Sequence, residues 1–83
     1  MREDERDRLE RRLREVLIEA RKAKGLTQTD LAATLKRTQT FVSNYERGER
    51  RLGMVDFLLI ARTLGVEPVE LLGRLGVQGL PAE

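Results

Sequence analysis

The segment Thr27-Gln-Thr-Asp-Leu-Ala-Ala-Thr-Leu-Lys-Arg-Thr-Gln-Thr-Phe-Val-Ser-Asn-Tyr-Glu-Arg-Gly48 reads as two short helices joined by a tight turn. Thr27 is placed as an N-cap, with Asp30 three residues on completing a short-armed capping box. Leu26 and Leu31 stand at hydrophobic-staple positions, and Leu31, Ala32 and Leu35 form an inward stripe. Lys36 and Arg37 make the turn, Thr38 caps the next helix, and Gly48 stops it. At 100° per residue this second helix has two opposed faces. Phe41, Val42 and Tyr45 cluster on one, and Gln39, Thr40, Ser43, Asn44 and Arg47 on the other.

Working outward, the N-terminal side carries a long helix. Leu9, Leu13, Val16, Leu17 and Ala20 recur at helical spacing. Asp4–Arg8, Asp7–Arg11 and Glu10–Arg14 are acid-before-base pairs four apart, each able to support a helix by about 0.2–0.5 kcal/mol. Lys22 and Lys24 fall in the last turn and Gly25 ends it. On the C-terminal side a fourth helix runs from Met54 to Leu64, with Val55, Leu58, Leu59, Ala61 and the stem of Arg62 expected to face inward, and stops at Gly65. Pro68 opens a fifth, carrying Val69, Leu71, Leu72 and Leu75. The expected organisation is a charged extension of the first helix over 1–8, a domain over 9–75, and a frayed tail over 76–83. Strict alternation of apolar and polar residues is missing, so the expected class is all-α.

Composition narrows the chemistry. With 83 residues the chain holds one small core. It contains no Cys and no His, which removes disulfides, zinc–thiolate sites, thiol nucleophiles and imidazole acid–base catalysis. Carboxylate neighbours such as Asp4 and Asp7 lie on a solvated helix, and no nucleophile–base pair stands out. An enzyme is not expected, nor a metal or cofactor. The longest apolar run, residues 57–61, is far short of a membrane span, and the charged N-terminus is no signal peptide, so the expected address is the cytoplasm, with the nucleoid.

The net charge is only +2, but residues 21–51 set eight cations (Arg21, Lys22, Lys24, Lys36, Arg37, Arg47, Arg50, Arg51) against Asp30, Glu46 and Glu49. A basic middle third points to a polyanionic partner. The polar face of the third helix differs from the Glu- and Arg-dense first helix. It offers amides and short hydroxyls, the groups that read base edges. Gln and Asn pair with adenine, Thr touches the thymine methyl, and Ser bonds either way. Cations lie at both ends of it. That is the layout of a major-groove reader, with base contacts central and phosphate contacts flanking.

Three stretches carry a resemblance: Arg21-Lys-Ala-Lys-Gly-Leu-Thr-Gln-Thr-Asp-Leu-Ala, Thr38-Gln-Thr-Phe-Val-Ser-Asn-Tyr-Glu-Arg-Gly48, and Ile60-Ala-Arg-Thr-Leu-Gly-Val66. In order and spacing they resemble the Cro/C1-type, XRE-like helix-turn-helix family over residues 10–73. The resemblance implies a compact five-helix, lambda-repressor-like domain, here with an extended first helix and the helix-turn-helix over 27–47. It implies a regulator of transcription, a repressor, bound as a homodimer to a palindromic double-stranded operator. It makes Gln39, Thr40, Ser43 and Asn44 base-reading, and Gln28, Lys36, Arg37, Thr38, Arg47, Arg50 and Arg51 phosphate-contacting. Gln39 is to touch Gln28, and Arg21–Glu46 to be a structural ion pair. The turn departs from the family pattern, with Lys36 where Gly is usual and Arg37 where an apolar residue is common. Other uses of such a domain stay open: an antitoxin with a toxin as partner, a restriction–modification controller, or a protein adaptor that binds no DNA.

Overall fold

The computed structural model describes residues 4–76. It holds five helices: α1 (Glu5–Ala23), α2 (Gln28–Leu35), α3 (Gln39–Glu46), α4 (Met54–Leu64) and α5 (Pro68–Arg74). No strand occurs among the described residues. The tail from residue 77 onward, including Val77 and Leu80, lies outside them. α2 packs on α3 and α4, α1 on α3 and α5, and α4 on α5. The core they enclose contains Leu17, Leu31, Val42, Tyr45, Ile60 and Leu71, all fully buried.

Local chemistry sets the helix ends where the sequence indicates. The Thr27 hydroxyl accepts from the Asp30 N–H at 3.0 Å, and the Asp30 carboxylate accepts from the Thr27 N–H at 3.0 Å. That backbone bond, with the hydroxyl contact second, holds the Asp30 carboxyl below the usual carboxylate range. The Thr38 hydroxyl caps α3 by accepting from the Phe41 N–H at 3.1 Å. α1, α3 and α4 end at glycines with positive φ, and each returns the next residue's N–H to a carbonyl five residues back.

α2 ends in the same way without a glycine. Lys36 has φ 59° and ψ 40°, and the Arg37 N–H reaches the Ala32 carbonyl at 2.9 Å. A side chain in this left-handed region costs roughly 1–2 kcal/mol. Lys36→Gly is therefore expected to hold or raise stability, by up to about 1 kcal/mol after the added freedom of the unfolded chain is subtracted. On the DNA-binding role that the family resemblance implies, it is also expected to weaken binding to duplex DNA, because a cation leaves the turn. Thermal unfolding and duplex titration check this, and a clear loss of stability with unchanged affinity would contradict it.

Three expectations are corrected. The inward face of α4 is formed by Phe57, Ile60, Ala61 and Leu64, not by Val55, Leu58 and Leu59. Val55 is 67% exposed, and Met54, Leu58 and Leu59 are exposed beside it. α4 is apolar on most of its circumference, so two stripes of helical spacing compete, and the core takes the one with Phe57 and Leu64. On α5, Leu71 and Leu75 are buried as expected, whereas Val69 is 79% exposed and Leu72 is exposed. On α1, Asp4 is used as the N-cap, Arg8 pairs with Glu5, and Glu10 reaches across to Arg51 at 3.2 Å. For Asp4 and Glu10, capping and tertiary pairing outcompete local pairs worth a few tenths of a kcal/mol, while Arg11–Glu15 and Arg12–Glu15, each at 3.3 Å, keep local pairs on the same helix.

The first half of α1 leans on the connection between α3 and α4. Besides Glu10–Arg51, the Arg14 guanidinium packs on Gly48, where a Cβ would sit 2.9 Å from its Cζ. Arg12 Nε also donates to the Arg74 carbonyl at the end of α5, at 3.1 Å.

Candidate nucleic-acid interface

The site begins inside the protein. Arg21 and Glu46 form a two-point ion pair, Nε to Oε2 at 2.7 Å and Nη2 to Oε1 at 3.1 Å, with side chains 10% and 5% exposed. Arg21 Nη1 donates to the Leu26 carbonyl at 2.8 Å, which ties the end of α1 to the entry of α2. Glu46 Oε1 accepts a further bond from Gln28 Nε2 at 2.8 Å. Gln28 Oε1 in turn accepts from Gln39 Nε2 at 2.6 Å. A continuous relay thus runs from the buried guanidinium to the first residue of α3. It ties down one N–H of the exposed Gln39 amide, whose Oε1 and second N–H are an acceptor and a donor of the kind that pair with adenine. The Gln28 contact expected of Gln39 is present. Gln28 itself is half-buried with both ends engaged, so a phosphate contact from it rests on its second amide hydrogen.

The two faces of α3 separate largely as the helical wheel places them. Phe41, Val42 and Tyr45 are buried. Phe41 and Tyr45 meet edge to face with centroids 5.7 Å apart. The Tyr45 hydroxyl is buried without a hydrogen-bond partner among the described residues, and burial pushes its pKa up. Gln39 and Thr40 are exposed and Asn44 is half-exposed. Ser43 is the correction. It is 9% exposed, and its hydroxyl accepts from Arg47 Nη1. On the wheel it lies among the polar residues, between Gln39 and Arg47, so its burial is not set by the packed side, and the Arg47 guanidinium is the group bonded to its hydroxyl.

The flanking cations differ from one another. Lys36, Arg37, Thr38, Thr40, Asn44 and Arg50 line one shallow depression together with Phe41, so the turn, the start of α3 and the segment after it converge. The Phe41 ring is covered by Arg37 Cζ at 3.8 Å and approached by Arg50 Cζ at 5.0 Å. Arg37 thereby fills the place of an apolar residue with its side chain, as its position in the turn suggested. Three of the cations hold carboxylates: Arg37–Asp56 at 3.4 Å, Arg47–Glu49 at 3.1 Å and Arg51–Glu10 at 3.2 Å. Lys36 and Arg50 have no carboxylate partner among the described residues. Helical spacing does not reveal these partners. Asp56 and Glu10 lie on other helices, and Glu49 lies beyond the chain reversal at Gly48.

The helix-turn-helix family model matches residues 17–71, which includes the whole relay and α3. In structure the chain is similar to an XRE-family like protein from Pseudomonas syringae pv. tomato str. DC3000, with 44% identity over 82% of this chain and 83% of that one and a TM-score of 0.77. It is similar to the wild-type restriction-modification controller protein C.Esp1396I, at 33% identity over 81% and 88% of the two chains, TM-score 0.76. A third likeness is to the restriction-modification controller protein C.AhdI from Aeromonas hydrophila, at 38% identity over 72% and 91%, TM-score 0.67. No curated protein matches the chain. Among the described residues no helix is long and apolar enough to cross a membrane. With its turn, its recognition-helix position and its relay inside the matched region, the chain belongs to the XRE-type helix-turn-helix family, a family of DNA-binding regulators and not of enzymes.

Proposed function

We propose that this chain is a sequence-specific transcriptional regulator, a repressor, that reads the major groove of double-stranded DNA with α3. The observation that carries this is the relay from Arg21 through Glu46 and Gln28 to Gln39, which holds one amide of an exposed polar face in a fixed orientation. Orientation of that kind has value for reading a base and none for a solvated surface. Gln39, Thr40 and Asn44 are the base-reading group, with Ser43 reduced to a support for Arg47. Lys36, Arg37, Thr38, Arg47, Arg50 and Arg51 face the phosphates, and Thr38 keeps its hydroxyl hydrogen free to donate. The protein acts where the DNA is, in the cytoplasm. Occupancy of an operator that overlaps a promoter excludes polymerase.

Selection from a pool of random duplexes tests this, and a pool that emerges without an enriched sequence overturns it. Gln39→Ala is expected to lose about 1–3 kcal/mol of preference for the selected sequence while binding random duplex as before. Arg50→Ala is expected to weaken both alike. Equal losses on both duplexes for Gln39→Ala would show that Gln39 does not read a base.

One recognition helix covers too few base pairs for useful specificity, so the working form is a homodimer on a palindromic site, with half-sites about 34 Å apart. The surface for the second copy is the unburied stripe of α4, Met54, Val55, Leu58 and Leu59, with Val69 and Leu72 of α5. An exposed apolar set of that extent marks an association surface. Val55→Glu leaves the core untouched and is expected to convert dimer to monomer in sedimentation. An unchanged dimer would place the interface elsewhere. The similarity to two restriction–modification controllers favours a controller role as the second reading. A reporter driven from the selected operator tests the repressor role: a steady fall in transcription with added protein supports it, and a rise overturns it.

A further inference from the structure

Arg47 is engaged from three sides. Nη1 donates to the Ser43 hydroxyl, and Nη2 donates to Asn44 Oδ1 at 2.7 Å. Nε and Nη2 meet the two carboxylate oxygens of Glu49 at 3.3 and 3.1 Å. The guanidinium therefore lies back along the polar face of α3 and does not project from its end. Two oxygens presented to Nε and Nη2 are what a DNA phosphate would also present. Asn44 Oδ1, the acceptor half of an adenine-reading amide, is occupied by the same guanidinium.

The backbone supports this arrangement. Gly48, at φ +82°, reverses the chain after α3, and the Glu49 N–H bonds the Asn44 carbonyl at 2.8 Å. That bond seats Glu49 beside Arg47, although Gly48 ends the helical spacing that relates their neighbours. The Arg47 contact, by hydrogen bond first and charge second, holds the Glu49 carboxyl below the usual range, so it stays ionised at neutral pH. The pairs Arg37–Asp56 and Arg51–Glu10 differ, since no contact links either of them to a base-facing side chain among the described residues.

We infer that Glu49 is an intramolecular competitor of the DNA backbone, holding Arg47 in a closed position over Asn44 until a phosphate displaces the carboxylate. This rests on the DNA-binding reading above. It makes Glu49 an affinity-setting residue of the interface although it contacts no base. Because the pair is solvent-exposed, the effect is bounded: such pairs are worth a few-fold in an equilibrium constant.

The test is a double-mutant cycle of Glu49→Gln and Arg47→Gln, read as equilibrium binding to a random-sequence duplex and to the duplex selected by the wild-type chain. Glu49→Gln is expected to bind both duplexes about two- to five-fold more tightly, with a salt slope steeper by up to about one unit per subunit. In the Arg47→Gln background the same change is expected to give a markedly smaller gain. An equal gain in both backgrounds overturns the inference, because Glu49 would then act only as a charge repelled by the duplex. So does the lack of any gain when Arg47 is present. If the wild-type chain binds neither duplex at low salt, the DNA-binding reading falls with it, an outcome distinct from binding that is insensitive to Glu49.

Discussion

Glu46→Ala is expected to destabilise the fold by about 3–5 kcal/mol, because it leaves Arg21 buried and unpaired. A domain of this length is held by roughly 4–12 kcal/mol in total, so the variant should be marginal in urea denaturation. The magnitude follows from position. The pair lies between α1 and α3 with both side chains almost out of solvent, and its geometry is two-point. A surface pair would contribute at most about 1 kcal/mol. The guanidinium keeps its bond to the Leu26 carbonyl after the change, but that neutral acceptor does not offset a buried charge. Replacing both partners, Arg21→Met with Glu46→Leu, is expected to recover most of the loss, since an apolar pair of similar volume is close to neutral against a buried ion pair. A loss below about 1 kcal/mol for Glu46→Ala would mean that water reaches Arg21. The double variant has a second use. It restores packing without restoring the Glu46 oxygen that holds Gln28, so it should fold well and still read DNA with less discrimination.

Which of these features the sequence discloses depends on the range of the interaction. Helix ends are legible because caps are local: Thr27 with Asp30, Thr38, and the stops at Gly25, Gly48 and Gly65 are each decided within a few residues. The left-handed Lys36 is legible for the same reason, as it occupies the place where the turn demands that conformation. The burial of α4 is not. A helix that is apolar around most of its surface gives the hydrophobic period no single answer, and only packing against α2 and α5 chooses Phe57 over Val55. The stripe left outside the core is the surface proposed above for the second copy. Within the site, Gln39, Thr40 and Asn44 are read directly from the helical wheel, and the Gln28–Gln39 contact from family resemblance. Ser43 lies among the polar residues of the wheel and is buried all the same, with the Arg47 guanidinium bonded to its hydroxyl, a contact the wheel does not show. The partners of Arg37, Arg47 and Arg51 escape because each is set by a tertiary approach or a chain reversal, neither of which has a period.

Those partners alter the expected response to salt. Each phosphate neutralised by a cation releases DNA counterions and adds about −0.9 to the slope of log K against log salt. Five flanking cations, Lys36, Arg37, Arg47, Arg50 and Arg51, would give about −4.5 per subunit if all were free. Three of them carry a carboxylate, and when a phosphate displaces it, the released Asp or Glu gathers a counterion of its own and returns part of the gain. The slope is therefore expected between about −2, the share of Lys36 and Arg50 alone, and about −4.5 per subunit. For a dimer, raising salt from about 50 to about 200 mM should then cost roughly two to five orders of magnitude in affinity. Single substitutions resolve the two classes of cation. Arg50→Ala should flatten the slope by about one unit per subunit, whereas Arg51→Ala should flatten it less, because Glu10 already neutralises that side chain in the free protein. Binding that barely responds to salt would remove the phosphate role from all five. Equal flattening by Arg50→Ala and Arg51→Ala would show instead that the carboxylates let go at no cost, and that the ion pairs around α3 leave the interface as strongly charged as its cation count implies.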